Sequence, residues 1–300
     1  MSFTGNVKSE VFLLDRILPE KISELSAILY HSEIDDIIKV TTENASVARF
    51  SFKAIKEIYD ISPKITVRKG YNFKKGYIYI LEIKEKIDLI IRELGLNTLL
   101  PPTYLYDDED LERAYLRGVF LMTGSVNDPK TSRYHLEMLF QSEEYAKFIQ
   151  KLLNDFRLNA KVIKKDNKYM VYLKEAEKIS DFLRIIKAMN AVMYFEDIRI
   201  YRDHKNMTNR LNSCEQANVD KMIESSYELI KKIELLKKKD MYELLDEKVK
   251  EVAEYRLKYP EVSLSELSEI ISIETGNKIT KSGLHHRLKK IELLAEKVRD

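Results

Sequence analysis

The stretch LRGVFLMTGSV, residues 116–126, is apolar on nearly every face and yet places Gly118 in its middle. It stops on Gly124-Ser125, in front of the turn-forming Asn127-Asp128-Pro129. A glycine inside a helix costs about 1 kcal/mol relative to alanine, so it needs a packing reason. The reason expected here is the close approach of a second helix backbone.

Working outward, the elements after this helix follow a regular order. Residues 134–140 read as a strand, and 143–158 as a helix with apolar residues at helical spacing. Residues 160–165 and 168–174 read as two short strands around the hairpin signal Asp166-Asn167, and 176–189 as a second amphipathic helix. The same order precedes it: a short apolar helix at 22–30, a strand at 37–42 and a helix at 45–59. A hairpin around Asn72 (64–69 and 77–84) and a helix at 87–96 complete it. Residues 1–190 therefore read as a tandem duplication joined at 97–110 through Pro101-Pro102 and an acidic run.

Aligning the copies sets Leu25-Ser26-Ala27-Ile28-Leu29 against Leu116-Arg117-Gly118-Val119-Phe120, with a small residue third in each. Two such helices can cross with their backbones close and form the seam of a pseudo-twofold saddle. This arrangement resembles the LAGLIDADG homing-endonuclease fold, and 116–124 fits that nonapeptide's shape. In such nucleases an acid before the final glycine of each helix holds a divalent metal at the axis. Here the corresponding positions are Ser32 and Thr123, whose neutral hydroxyls cannot supply the anionic oxygens that hard cations need. Glu33, Asp35, Asp36 and Asp128 lie past the helix ends, out of register with the axis. The expectation is a binding scaffold with no catalytic residues, no metal and no cofactor.

Composition is compatible with this. The chain has 300 residues, 44% hydrophobic and 33% charged, enough for two or three domains with a sizeable core. No apolar run suggests a membrane span, and the first residues carry no apolar signal region, so a cytoplasmic protein is expected. Cys214 is the single cysteine, which excludes an internal disulfide and multi-cysteine zinc. Its reading is a packed small hydrophobe. Fifty-one basic residues against 49 acidic give a net charge of +2, so a partner that wants positive charge must find it locally.

That charge is local. Residues 278–290 carry Lys278, Lys281, Arg287, Lys289 and Lys290 and no acid, whereas 243–254 is heavily acidic. Residues 194–223 read as a polar connecting segment, with Arg199, Arg202, Lys205 and Arg210 as candidate phosphate contacts or domain-orienting groups. A basic helix at 221–239 and another at 241–259, closed by Pro260, follow. The last forty residues read as a helix-turn-helix. Ser263 and Glu266 make a capping box, Gly276-Asn277 marks a turn, and Thr280 caps a helix at 281–298. Leu284, Leu288, Ile291 and Leu294 give that helix an apolar face. Lys281, Ser282, His285, His286, Arg287, Lys289 and Lys290, with Lys278 before them, are the DNA-binding candidates, since the first turns of such a helix enter the major groove. Arg287 is the expected base reader and Lys281 a phosphate contact. Adjacent His285 and His286 diverge by about 100° and do not make a metal pair.

Taken together, the sequence resembles the WhiA family of bacterial regulators over essentially its whole length. The carrying stretches are AYLRGVFLMTGSVNDP, YHLE, VYLKEAEKISDFL, FEDIRIYRD, NRLNSCEQAN and KSGLHHRLKKI. The resemblance implies a degenerate LAGLIDADG domain joined to a C-terminal helix-turn-helix similar to region four of sigma factors. It also implies binding to promoter double-stranded DNA, a protein partner in the transcription machinery, and a nucleoid-associated role in cell division, chromosome segregation or sporulation. The Lys- and Ile-rich composition favours division. IETGNK, residues 273–278, departs from the family as a longer turn. The expected fold class is an α+β pseudo-duplicated saddle followed by an all-α domain: 1–96 and 113–190 as repeats, 97–112 a linker, 191–223 a connection and 224–300 helical, with the helix-turn-helix at 263–296. The alternatives are an active LAGLIDADG nuclease or maturase, and a protein-interaction scaffold.

Overall fold

The computed structural model describes residues 2–69 and 76–299, with side chains through residue 297. The hairpin turn expected around Asn72 lies outside the described residues. The chain forms two compact units, Met1–Arg202 and Asp203–Asp300.

In the first unit the duplication is explicit. After α1 (Phe3–Phe12) come α2 (Leu18–Leu29), β1 (Glu33–Ile34), β2 (Ile38–Thr42), α3 (Ala45–Tyr59), β3 (Lys64–Lys69), β4 (Tyr77–Ile83) and α4 (Ile87–Leu94). The second copy is α5 (Glu109–Thr123), β5 (Gly124–Val126), β6 (Leu136–Phe140), α6 (Glu143–Asp155), β7 (Lys161–Lys165), β8 (Lys168–Leu173) and α7 (Ala176–Ile185). The sheets share one antiparallel order, β1-β2-β4-β3 and β5-β6-β8-β7. Period-two alternation turns Ile38, Val40, Leu81 and Ile83 of one sheet, and Leu136, Met138, Val171 and Leu173 of the other, into a single core.

The segment between the copies is packed rather than a free linker. Leu105 is buried, and the acidic run opens a helix: the Asp108 carboxylate accepts from Leu111 N–H at 2.8 Å, with Glu109, Asp110 and Glu112 in the first turn of α5. Acids at that end complement the helix dipole.

The seam is the crossing of α2 and α5. A Cβ on Gly118 would lie 2.4 Å from the Glu24 carbonyl oxygen and 2.8 Å from the Ala27 Cβ. Beside this contact lies a buried ionic network that periodicity did not announce. The Glu24 carboxylate, fully buried, accepts from Arg117 Nε at 2.8 Å and from Arg16 Nε and Nη2 at 2.7 and 2.9 Å. Arg117 Nη2 also donates to Glu20 at 2.9 Å, while Arg16 donates to the carbonyls of Val11, Phe12 and Leu14. Two arginines face two glutamates, so the desolvated charges compensate; removing one partner of such a pair typically costs roughly 3–5 kcal/mol.

The polar connection expected at 191–223 is instead part of one continuous helix, α8 (Met189–Lys238). Its Asn residues and Arg210 are exposed helical positions, not caps, while Arg199 and Arg202 are half-buried. Cys214 is exposed on it, correcting the expectation of a packed thiol. The second unit continues with α9 (Glu247–Lys258), α10 (Leu264–Thr275) and α11 (Lys281–Arg299). The single helix expected at 241–259 is divided: a 3-10 turn spans Tyr242–Leu244, and Asp246 caps α9. Leu229, Ile233 and Leu236 of α8 join Val249, Val252, Leu267, Ile271, Leu284, Leu288 and Ile291 in a separate core.

Gly118→Ala should already destabilise the first unit, because the backbone of α2 cannot yield as a side chain can. The expected loss is ~1–3 kcal/mol, and Gly118→Leu should lose more. Thermal unfolding checks both; an unchanged midpoint would mean the helices do not cross there.

His31 supplies a pH signature. Its Nε2 is buried without a partner, and burial pushes the imidazole down to about 4. The unfolded chain takes that proton near pH 6.5. Between those values only the unfolded state gains a proton, so stability should fall as pH falls, by up to about 1.4 kcal/mol per pH unit. His31→Gln should flatten that slope in urea titrations at pH 4.5–7.

Candidate nucleic-acid interface

The second unit positions its last helix through local caps. Ser263 Oγ accepts from Glu266 N–H at 3.2 Å and the Glu266 carboxylate accepts from Ser263 N–H at 2.7 Å, a complete capping box opening α10. α10 runs through Thr275, so the turn is shorter than the 273–278 segment that reads as one. Gly276 ends the helix at φ +70°, a left-handed conformation that glycine adopts without strain. Ile279 N–H donates to Ser272 Oγ at 3.0 Å, tying the turn back to α10. Thr280 Oγ1 then accepts from Gly283 N–H at 3.1 Å and starts α11.

Burial then sorts α11. Leu284, Leu288, Ile291 and Ala295 face the core. At 100° per residue the opposite face carries Ser282, His285, His286 and Lys289, and all four are exposed. Lys278 and Lys281 are exposed at its N-terminal end. Among the described residues none of these four lysine and histidine side chains on α11 (Lys281, His285, His286, Lys289) is held in an ion pair with an acid.

Two candidates sit differently. Arg287 is half-buried. Six residues from Lys281 amounts to 240° of helix rotation, so the two flank the core face on opposite sides and do not share one outward direction. Lys290 pairs with Asp246, the cap of α9, at 3.1 Å. That hydrogen bond is the main reason the Asp246 carboxyl lies below the usual range; the positive charge of Arg287 adds to it. Glu266 of α10 is committed to the capping box.

The four basic residues of α8 also divide. Arg199 pairs with Glu196 at 2.7 Å. Arg202 donates to the carbonyls of Pro129 and Ser132 at 2.7 and 2.9 Å and lies 5.0 Å from the Tyr134 ring, so it orders the turn after β5. Lys205 and Arg210 are exposed and belong to the second unit.

At the first unit's axis both hydroxyls turn back on their own helices. Ser32 Oγ donates to the Leu29 carbonyl and Thr123 Oγ1 to that of Val119, the latter at 2.9 Å. Glu33 pairs with Lys39 at 2.6 Å and Asp128 accepts from Tyr194 Oη at 3.1 Å, while Asp35 and Asp36 are exposed. Among the described residues no three His, Cys, Asp or Glu side chains converge as a metal cluster. No described helix is long and apolar enough to cross a membrane.

Sequence reasoning passed over Asp246 and Arg256. The signal for Arg256 was present: it occupies the position after Val249, Val252 and Ala253 in the apolar stripe of α9, and its side chain is buried.

The fold defines a duplicated LAGLIDADG-like α+β domain followed by a helical domain with a helix-turn-helix. Residues 20–97 match the WhiA N-terminal LAGLIDADG-like domain, 112–205 the WhiA LAGLIDADG-like domain and 208–295 the WhiA C-terminal HTH domain. The chain is similar to proteins named probable cell division protein WhiA. It is 39% identical over 311 residues to that of Oceanobacillus iheyensis and 41% identical over 311 to that of Staphylococcus aureus, covering 100% of this chain and 98% of each relative. It is also similar to the crystal structure of full-length DUF199/WhiA from Thermatoga maritima, with a TM-score of 0.59, 28% identity and 99% of both chains covered. The chain belongs to the WhiA family.

Arg287→Ala should lower the melting temperature of the second unit by about 2–4 °C, since a half-buried arginine stem is packing as well as charge. It should also let the Asp246 carboxyl rise towards its ordinary value, read by NMR titration. A base-preference change with unaltered melting would overturn this placement.

Proposed function

We propose that this protein is a DNA-binding regulator whose contact surface is the outward face of α11. The observation that carries the proposal is the exposed, acid-free set Ser282, His285, His286 and Lys289, on a helix whose start is capped and whose opposite face is locked in a core. Ser282 and the histidines have the donors and acceptors to read base edges in a major groove. Lys278, Lys281 and Lys289 are placed for phosphates, which fix register and carry most of the salt dependence. Arg287 and Lys290 are assigned to holding α11 against Asp246. Lys205 and Arg210 remain as exposed backbone contacts.

The first unit is read as a nuclease scaffold without nuclease chemistry. Each hydroxyl at the former acid positions is already bonded to a helix carbonyl, and neither supplies the negative charge a hard cation requires. The names of the relatives point to cell division, and a DNA-binding protein in that process would act at the nucleoid on promoter DNA, in a cytoplasmic setting, with a partner in the transcription machinery.

Fluorescence anisotropy with duplexes selected from fragmented genomic DNA tests this. Lys289→Ala and Lys281→Ala should weaken binding to all duplexes and lower the salt slope by about one unit each. Ser282→Ala or His285→Ala should cost roughly 1–3 kcal/mol on the preferred site only. Equal binding by a quadruple variant would overturn the reading, as would Mg²⁺-dependent nicking of plasmid by the full chain.

A further inference from the structure

Arg256 is a buried cation without a counter-charge. Its side chain is 2% exposed, and no carboxylate pairs with it among the described residues. All four of its hydrogen bonds leave from Nη1, to Ser226 Oγ (3.2 Å) and the carbonyls of Tyr259, Pro260 and Val262, while Nε has no acceptor. One nitrogen with two hydrogens thus serves four oxygens, and the rest of the fork is idle. Burying a guanidinium this way is unfavourable unless something anionic completes it.

Arg256 lines a cavity between α8, α9, α10 and α11 of about 180 Å³. That is several times the ~30 Å³ of one water, so a tetrahedral oxyanion fits. The wall adds two further donors from α11, His285 and Lys289, and the hydroxyl of Ser225 from α8. Its single acid, Glu292, is already paired with Lys232 at 3.4 Å. Met222, Leu229, Leu264 and Leu288 form the apolar remainder. A low-dielectric wall around uncompensated cations strengthens any charge-assisted bond to an anion.

We propose that this cavity is a phosphate-type oxyanion site, with the Arg256 guanidinium at its base and Lys289 and His285 at its mouth. Three or more donors converging from different helices suit a phosphate, with oxygens on every side, better than a planar carboxylate, which offers two. The oxyanion has two sources of one chemistry, a duplex backbone phosphate or a free phosphoryl group. The inference stands on the cavity and does not require α11 to read bases.

The experiment is an amide and arginine side-chain NMR titration of the full chain with inorganic phosphate at constant ionic strength, chloride being exchanged out. Phosphate should shift the Arg256 Nε–H and the amides of Ser225 and Lys289, saturably. Lys289→Gln, at an exposed position, should weaken binding roughly two- to five-fold, the range for one exposed charge. Arg256→Gln should abolish it, and Arg256→Lys, which keeps the charge, should restore it in part. Adding a short duplex separates the sources. If duplex displaces phosphate, the site holds a backbone phosphate. If duplex binds and phosphate stays, the site takes a free phosphoryl ligand. Either result supports the site. Absence of a saturable shift at Arg256 with phosphate, and equally with duplex, overturns it. A protein that binds phosphate here but no DNA would instead defeat the DNA-binding reading and leave this site standing.

Discussion

The backbone contact between α2 and α5 is the constraint on which the first unit depends. With Gly118 the α5 backbone can approach the Glu24 carbonyl as no other residue would allow. That closeness brings the Arg117 side chain, one position before the glycine, against the Glu20 and Glu24 carboxylates of the other repeat. A steric permission and an ionic lock therefore occupy the same turn. Separating the helices would take Arg117 away from both of its carboxylates, so the crossing is resisted by electrostatics as well as by lost packing. The two sheets inherit their relation from this seam, because β1 and β5 follow directly from the ends of the crossing helices.

The crossing itself does not depend on charged groups at the C-terminal ends of the two helices. Ser32 and Thr123 lie at the helix ends, outside the tight crossing, and each hydroxyl satisfies itself on the preceding turn.

In the second unit the useful positive charge is partitioned. Lys290 and Arg287 lie around Asp246 at the start of α9, and Arg256 is folded into the core between four helices. Ser282, His285, His286 and Lys289, with Lys278 and Lys281 before them, face water. A run of basic residues does not by itself reveal this division, since all of them look alike in a list of charges. Helix phase decides it: 100° per residue sends Lys289 outward and leaves Arg287 at the edge of the buried face.

How much was legible follows from which forces are local. Hydrophobic period, caps and hairpin turns are set by neighbouring residues, so the duplicated order of elements, the box at Ser263–Glu266, the Thr280 cap and the small pair Ala27 and Gly118 could be read directly. So could the neutral residues at 32 and 123, and with them the resemblance to a family. Other features had no local signature. The run 194–223 is rich in Asn and Arg, which reads as a connection; in the structure it is helix, with Phe195 buried in the core near its start and the stretch 203–221 exposed. The acidic run before Leu111 looked like a linker because its role, capping α5, depends on where that helix begins. Arg16 with Glu24, Arg117 with Glu20, and Arg256 with its carbonyls join residues that only tertiary packing brings together. The sequence by itself determined the repeat, the caps and the neutral residues at 32 and 123, because each is a short-range pattern. Only the tertiary structure decided which charges were buried against one another and which were left for a partner, because burial is a property of the assembled core and not of any segment.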